Sequence, residues 1–213
     1  MAKKSGTSEQ VYIPSANIQR IKVPIVGTAP LVMHRFGEKA KKQMMDKMAS
    51  SEQEKKKRAK RDARDYDKEM VDAQHRDKSG WAGIPCGAFR AAIIRACSLT
   101  PIPMTVAKMA IFVRADGFDE HDGTPLVKIK SKKGPRRCDL GVRNENGAAD
   151  IRSRPMWDEW GAELQIDFDA DLVSRESVVH LLDRAGKQVG ILEGRPFSKK
   201  SHGMDWGTFE VKQ

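Results

Sequence analysis

The chain has 213 residues, 39% of them hydrophobic and 32% charged, and carries a formal net charge of +10. That composition supports one packed core but not a core that uses the whole chain. No run approaches the roughly 18 consecutive apolar residues of a membrane-spanning helix, and the opening MAKKSGTSEQ lacks the apolar stretch of a secretory leader. The expectation is a soluble, cytoplasmic protein with no membrane partner.

From the N-terminus, Ile21, Val23 and Ile25 alternate with Arg20, Lys22 and Pro24, which predicts a strand over 18–26. Pro24 donates no backbone hydrogen bond, so an edge or a bulge suits it. Residues 37–78 mix both charge signs in EQEKKKRAKRDARDYDKEM. Met44, Met45 and Met48 form one short apolar stripe, and Tyr66 and Met70 a weaker one. The segment reads as an exposed helical insertion, or as one that orders on binding. Its block KKKRAKR points to a nucleic acid or a neighbouring subunit.

Next, Phe89, Ala92, Ile93, Ala96 and Cys97 recur at helical spacing, with Pro85 near the start, and predict an amphipathic helix. Arg90 opens this helix off its apolar stripe, where it can hold a phosphate or make a surface salt bridge. Residues 109–115 and 125–130 read as further strands. In 162–169, Leu164, Ile166 and Phe168 point one way, and Glu163, Gln165, Asp167 and Asp169 the other. Carboxylates on an open sheet repel phosphates, and no aromatic motif for base stacking is visible, so loops and insertions are expected to carry any nucleic-acid contact. Ser174 is a plausible N-cap for a helix bearing Val178, Leu181, Leu182 and Ala185, closed by Gly186. Apolar runs at 189–192 and 206–211 read as strands of a glycine-containing hairpin. Strands and helices in this order predict an α+β, ferredoxin-like (RRM-like) single domain over 1–213 with long charged insertions.

A pI near 9.6 makes nucleic acid the natural first partner. The densest excess lies in 128–154, with nine basic and three acidic residues in a Gly/Asn/Pro-rich context that favours a loop. Lys128, Lys130, Lys132, Lys133, Arg136, Arg137, Arg143, Arg152 and Arg154 are therefore candidate phosphate contacts. In the glycine-containing hairpin, Arg195, Lys199, Lys200 and His202 join them, because glycines admit a ligand close to the main chain.

Other chemistry is poorly supported. The cysteines Cys86, Cys97 and Cys138 form no CxxC pair, and Cys97 falls on an apolar helix face as a buried thiol. Asp116, Asp119, Glu120 and Asp122 miss the EF-hand spacing and read as a solvated turn. No phosphate-loop, HExxH or GxSxG motif is present. No metal and no cofactor are expected. His34 suits a general base, but no second catalytic group accompanies it. Trp157 and Trp160 read as packing beside the acidic strand; Trp206 suits either the core or a base.

Three segments resemble the RAMP superfamily, the RRM-like backbone proteins of CRISPR effector complexes and their stand-alone relatives. They are IKVPIVGTAPLVMHRF, GIPCGAFRAAIIRAC and VGILEGRPFSKKSHGMDWGTFEV. The resemblance implies subunits that polymerise along a single strand, with residues 37–78 or 128–154 supplying a thumb or palm-loop contact. The expected function is sequence-tolerant, non-enzymatic binding of single-stranded RNA or DNA by a homo-oligomer or filament. The alternatives are an RNA-processing nuclease using His34 and an adaptor that grips a protein through 37–78.

Overall fold

The computed structural model describes residues 12–37, 41, 42, 44, 45, 48, 64–143, 147–198 and 204–212. The architecture is mixed α/β with antiparallel sheets. Its centre is a four-stranded sheet of β1 (Ile18–Gly27), β4 (Ile111–Arg114), β9 (Gly161–Asp169) and β10 (Phe209–Val211), in the order β10-β1-β9-β4. Ile21, Val23 and Ile25 on β1, and Leu164, Ile166 and Phe168 on β9, face inward and are buried. Helices α2 (Cys86–Ala96) and α4 (Arg175–Arg184) cover this face and touch each other. Phe89, Ala92, Ile93, Ala96 and Cys97 all enter the core, as their spacing predicts. Burial pushes up the thiol pKa of Cys97.

Two smaller sheets flank the centre. One joins β3 (Gly83–Pro85), β6 (Pro125–Lys128) and β5 (Gly117–Phe118). The other joins β2 (Leu31–Val32), β8 (Ala149–Trp157) and β7 (Arg136–Arg143), with α1 (Tyr66–Asp72) packed on β8. Short helix α3 (Met104–Ala110) runs directly into β4.

Several expectations need correction. Residues 128–154 are no continuous loop: β7 and β8 pair from Arg136↔Met156 to Arg143↔Ala149. Charge disguised the strand period carried by Cys138, Leu140 and Val142, which are less exposed than their neighbours. The strand expected at 109 starts at Ile111, because Met109 and Ala110 finish α3. Pro24 lies in an interior strand, opposite Lys212 just past the end of β10; its carbonyl accepts from Lys212 N at 2.9 Å, and its missing N–H removes only the reciprocal bond at the very end of that ladder.

Ser174 caps α4 by accepting from Ser177 N at 3.2 Å. Gly186 does not close it, since the chain continues through a π-helical turn, Ala185–Val189, that ends at Gly190 with φ of 70°. Glycine adopts that left-handed geometry without the Cβ penalty. Of the two C-terminal apolar runs only the second forms a strand, β10, and its partner is β1 rather than 189–192. The end of the 37–78 segment is not simply solvated, because α1 packs on the hairpin; KKKRAKR falls outside the described residues.

Candidate nucleic-acid interface

The predicted phosphate ligands divide by what already holds them. Arg136 donates to both oxygens of Asp158, at 2.8 and 3.0 Å from Nε. Arg137 meets Asp67 of α1 at 2.7 Å and Asp139 at 3.2 Å. Arg152 lies 3.9 Å from Asp150, and buried Arg154 pairs with Glu193 at 3.0 Å. Lys130 reaches Glu163 at 3.2 Å. The hairpin thus spends most of its positive charge internally.

Arg90 is a brace. It donates to the carbonyls of Lys108 and Ile111, at the C-terminal end of α3, and its guanidinium lies 5.1 Å from the Phe112 ring centroid. A cation there satisfies orphan carbonyls and opposes the helix dipole. Arg195 likewise donates to the Leu192 and Phe197 carbonyls at 2.8 and 3.0 Å, tying its own loop together. Trp157 and Trp160 are buried, and half-buried Trp206 packs over Gly194. Lys199, Lys200 and His202 lie outside the described residues.

Four predicted cations, Lys128, Lys132, Lys133 and Arg143, are exposed and make no salt bridge among the described residues. Lys133 feels Asp158, whose carboxyl is held below its usual range chiefly by the hydrogen bond from Arg136. Arg143 stands apart, at the far end of β7. Lys132 and Lys133 instead line a groove of about 250 Å³ with Gln74, Arg76, Gly80 and Pro135. The register that builds it is Ala82 against Ile129, joined by a 3.0 Å bond from Ile129 N to the Ala82 carbonyl. Sequence reading missed Arg76. Its Nε and Nη2 donate to Gln74 Oε1 at 3.1 and 2.8 Å, so a neutral acceptor orients the guanidinium without cancelling its charge.

The outer face of the four-stranded sheet also differs from expectation. Asp167 is buried between Arg20 and Arg114, at 2.5 and 2.6 Å, so its charge does not confront solvent. Lys22 stands beside them, exposed. Lys130 likewise meets Glu163, so neighbouring side chains offset two of the three carboxylates of 162–169, Asp169 being the third.

Two further groups bear on chemistry. His75, Asp119 and Asp122 place potential ligand atoms within 4.8 Å of one another; the two carboxylates cluster in the sequence, whereas His75 joins them only in the fold. His75 Nδ1 hydrogen-bonds Asp119 at 2.8 Å, with Arg35 Nε 3.6 Å from the same carboxylate and Lys41 3.8 Å from Asp122. Burial opposes ionisation of Asp119, but the His121 N–H, His75 and the Arg35 charge outweigh it and depress its pKa. Two cations already serve these carboxylates, which makes the group an ion-pair cluster and a poor cation site. Asp119 is therefore no solvated turn residue.

His34 is accessible at its rim yet crowded by protein. That desolvation, reinforced by Arg154 and Arg152 and opposed by Glu193, lowers its pKa and keeps the imidazole neutral at pH 7. No described helix is long and apolar enough to cross a membrane. No protein-family model matches the chain, and a search of curated proteins gives no significant match.

Proposed function

We propose that this chain is a non-enzymatic binder of single-stranded nucleic acid, RNA or DNA, and that copies of it assemble along the strand. The observation that carries the reading is the groove where Arg76, Lys132 and Lys133 converge from two separate loops. Arg76 and Lys132 have no carboxylate partner among the described residues. A phosphate backbone in such a groove gains charge contacts without breaking existing ion pairs, and releases counterions as it binds.

The reading includes a ferredoxin-like, RRM-like core and kinship with the RAMP superfamily. Support comes from connectivity. With β1, β4, β9 and β10 counted as core strands one to four, the sheet runs four-one-three-two; α2 lies between strands one and two, and α4 between three and four. Assembly along the strand rests on the sequence resemblance alone.

The test is fluorescence-anisotropy titration of labelled single-stranded RNA, single-stranded DNA and duplex DNA at two salt concentrations. Tight single-strand binding that weakens with salt is the expected result. Replacing both Lys132 and Lys133 with alanine should make the log–log salt slope shallower by about 1.4, at roughly 0.7 per phosphate contact. Absence of binding to every strand at low salt would sink the proposal.

A further inference from the structure

Trp81 lies beside this groove, on the other side of the chain that forms its wall. Backbone alternation turns Ala82 and Ile129 toward the groove and sends Trp81, Lys128 and Lys130 to the outer side. There the indole lies over the three-stranded sheet formed by β3, β6 and β5. A Cβ on Gly83 would come within 2.8 Å of Trp81 Cζ3, and one on Gly117 within 2.6 Å of Cζ2. Real Cβ atoms do not tolerate such contacts, so only glycine at both sites lets the ring lie this close to the strands. Leu126 lies beneath it, fully buried.

The ring thus lies flat against the strands on one side, and it remains half-buried rather than buried. The Lys128 ammonium lies over the ring, 5.8 Å from its centroid, in a cation–π contact, and that lysine makes no salt bridge among the described residues. Leu126 also requires Gly83, since a Cβ there would meet the Leu126 Cβ at 2.8 Å, but the room at Gly117 is set first by the ring, at 2.6 Å. An aromatic ring with its outer face covered only by an exposed lysine is a pairing that single-stranded nucleic acid can use: a base takes the ring face as the ammonium swings aside to the adjoining phosphate.

We infer that Trp81 is a base-stacking platform for the single strand, with Lys128 taking the adjoining phosphate. This rests on the reading that the chain binds single strands, and it adds a contact to the base where the groove offers contacts to phosphate only. Stacking is tolerant of sequence because every base presents a π-face, and it is indifferent to the sugar.

The deciding experiment compares a base-bearing oligothymidylate with an abasic strand carrying the same number of phosphates. Wild-type protein should bind the thymidylate about tenfold more tightly, the order of effect that one base stacked on an aromatic ring contributes. Trp81→Leu should lower thymidylate affinity to the abasic level and leave abasic affinity unchanged, while Trp81→Phe retains most of the preference. Tryptophan emission of the wild-type protein should be quenched by the thymidylate and not by the abasic strand, and Trp81→Phe should abolish that difference. The quenching readout keeps the test valid if Trp81→Leu fails to fold.

Equal wild-type affinity for both strands with no base-dependent quenching would overturn the stacking role and leave phosphate binding in the groove intact. A Trp81→Leu loss of equal size on both strands, without quenching in the wild type, would assign the ring to packing alone. Failure of the wild type to bind either strand would remove the single-strand reading and this inference together.

Discussion

Arg20 on β1 and Asp167 on β9 face each other across a strand pair, with Nε to Oδ1 at 2.5 Å and the second nitrogen to Oδ2 at 2.9 Å. Arg114 on β4 closes on the same carboxylate from the opposite side at 2.6 Å. Three strands are thereby linked through one buried anion on the sheet's outer face.

This arrangement predicts a specific pH dependence. The hydrogen bond from Arg20 is the largest influence on Asp167; burial opposes it, Arg114 reinforces it, and the net effect is a depressed pKa. A group with a depressed folded pKa stabilises the native state above its unfolded value, about 4. That contribution is lost as pH falls through the folded value. Asp167→Asn should therefore be less stable at pH 7, by about 2 kcal/mol, and should lose less further stability between pH 5 and 2 than the wild type. Urea midpoints across that range provide the measurement; parallel curves would contradict the assignment.

Arg90 separates a structural role from a phosphate-binding one. Arg90→Ala leaves the Lys108 and Ile111 carbonyls without their donor and should cost about 1–2 kcal/mol in chemical denaturation. Arg90→Lys should recover little, because a point charge cannot reach both carbonyls as the planar fork does. Single-strand affinity of either folded variant should match the wild type. A tenfold loss of affinity in a folded variant would restore Arg90 to the interface.

The hairpin arginines offer a matched control for the groove lysines. Arg136 and Arg137 are engaged by Asp158, Asp67 and Asp139. Replacing both with alanine should leave the salt slope of single-strand binding unchanged, in contrast to the Lys132 and Lys133 pair. Equal effects from the two double variants would mean that the ion pairs open on binding.

The central packing also makes a prediction. The Phe209 ring meets Phe89 edge-on at 5.8 Å between centroids and Trp160 at 6.1 Å. Phe209→Ala removes a fully buried ring that joins β10 to α2 and should destabilise by about 3–5 kcal/mol. A urea-denaturation difference under about 1 kcal/mol would show that the site collapses around the loss.

Residues whose environment depends on near neighbours were legible in the sequence. The apolar stripe of α2, the alternation of β9 and the Ser174 cap all follow from local spacing. The hairpin of β7 and β8 was hidden because its turn-forming and charged residues outweighed a short alternation of Cys138, Leu140 and Val142. The candidate site was half legible. Lys132 and Lys133 stood out as charge, whereas Arg76 and Trp81 carried no local signal, and their relevance comes from a strand register that sets Ala82 against Ile129.

By itself the sequence determined the basic balance, the amphipathic faces and the positions of the four central strands and the two long helices, because periodicity and capping are properties of neighbouring residues. Tertiary structure decided which charges remain available. Arg20 and Asp167 are 147 positions apart, and Arg137 and Asp67 are 70 apart, yet each pair is in contact. Coulombic neutralisation acts over a few ångströms of space, however far apart the charges lie along the chain. Charge counted along the sequence placed the excess on a loop, and folding cancelled most of it there while leaving a smaller set of cations around the groove and Trp81 without salt bridges among the described residues.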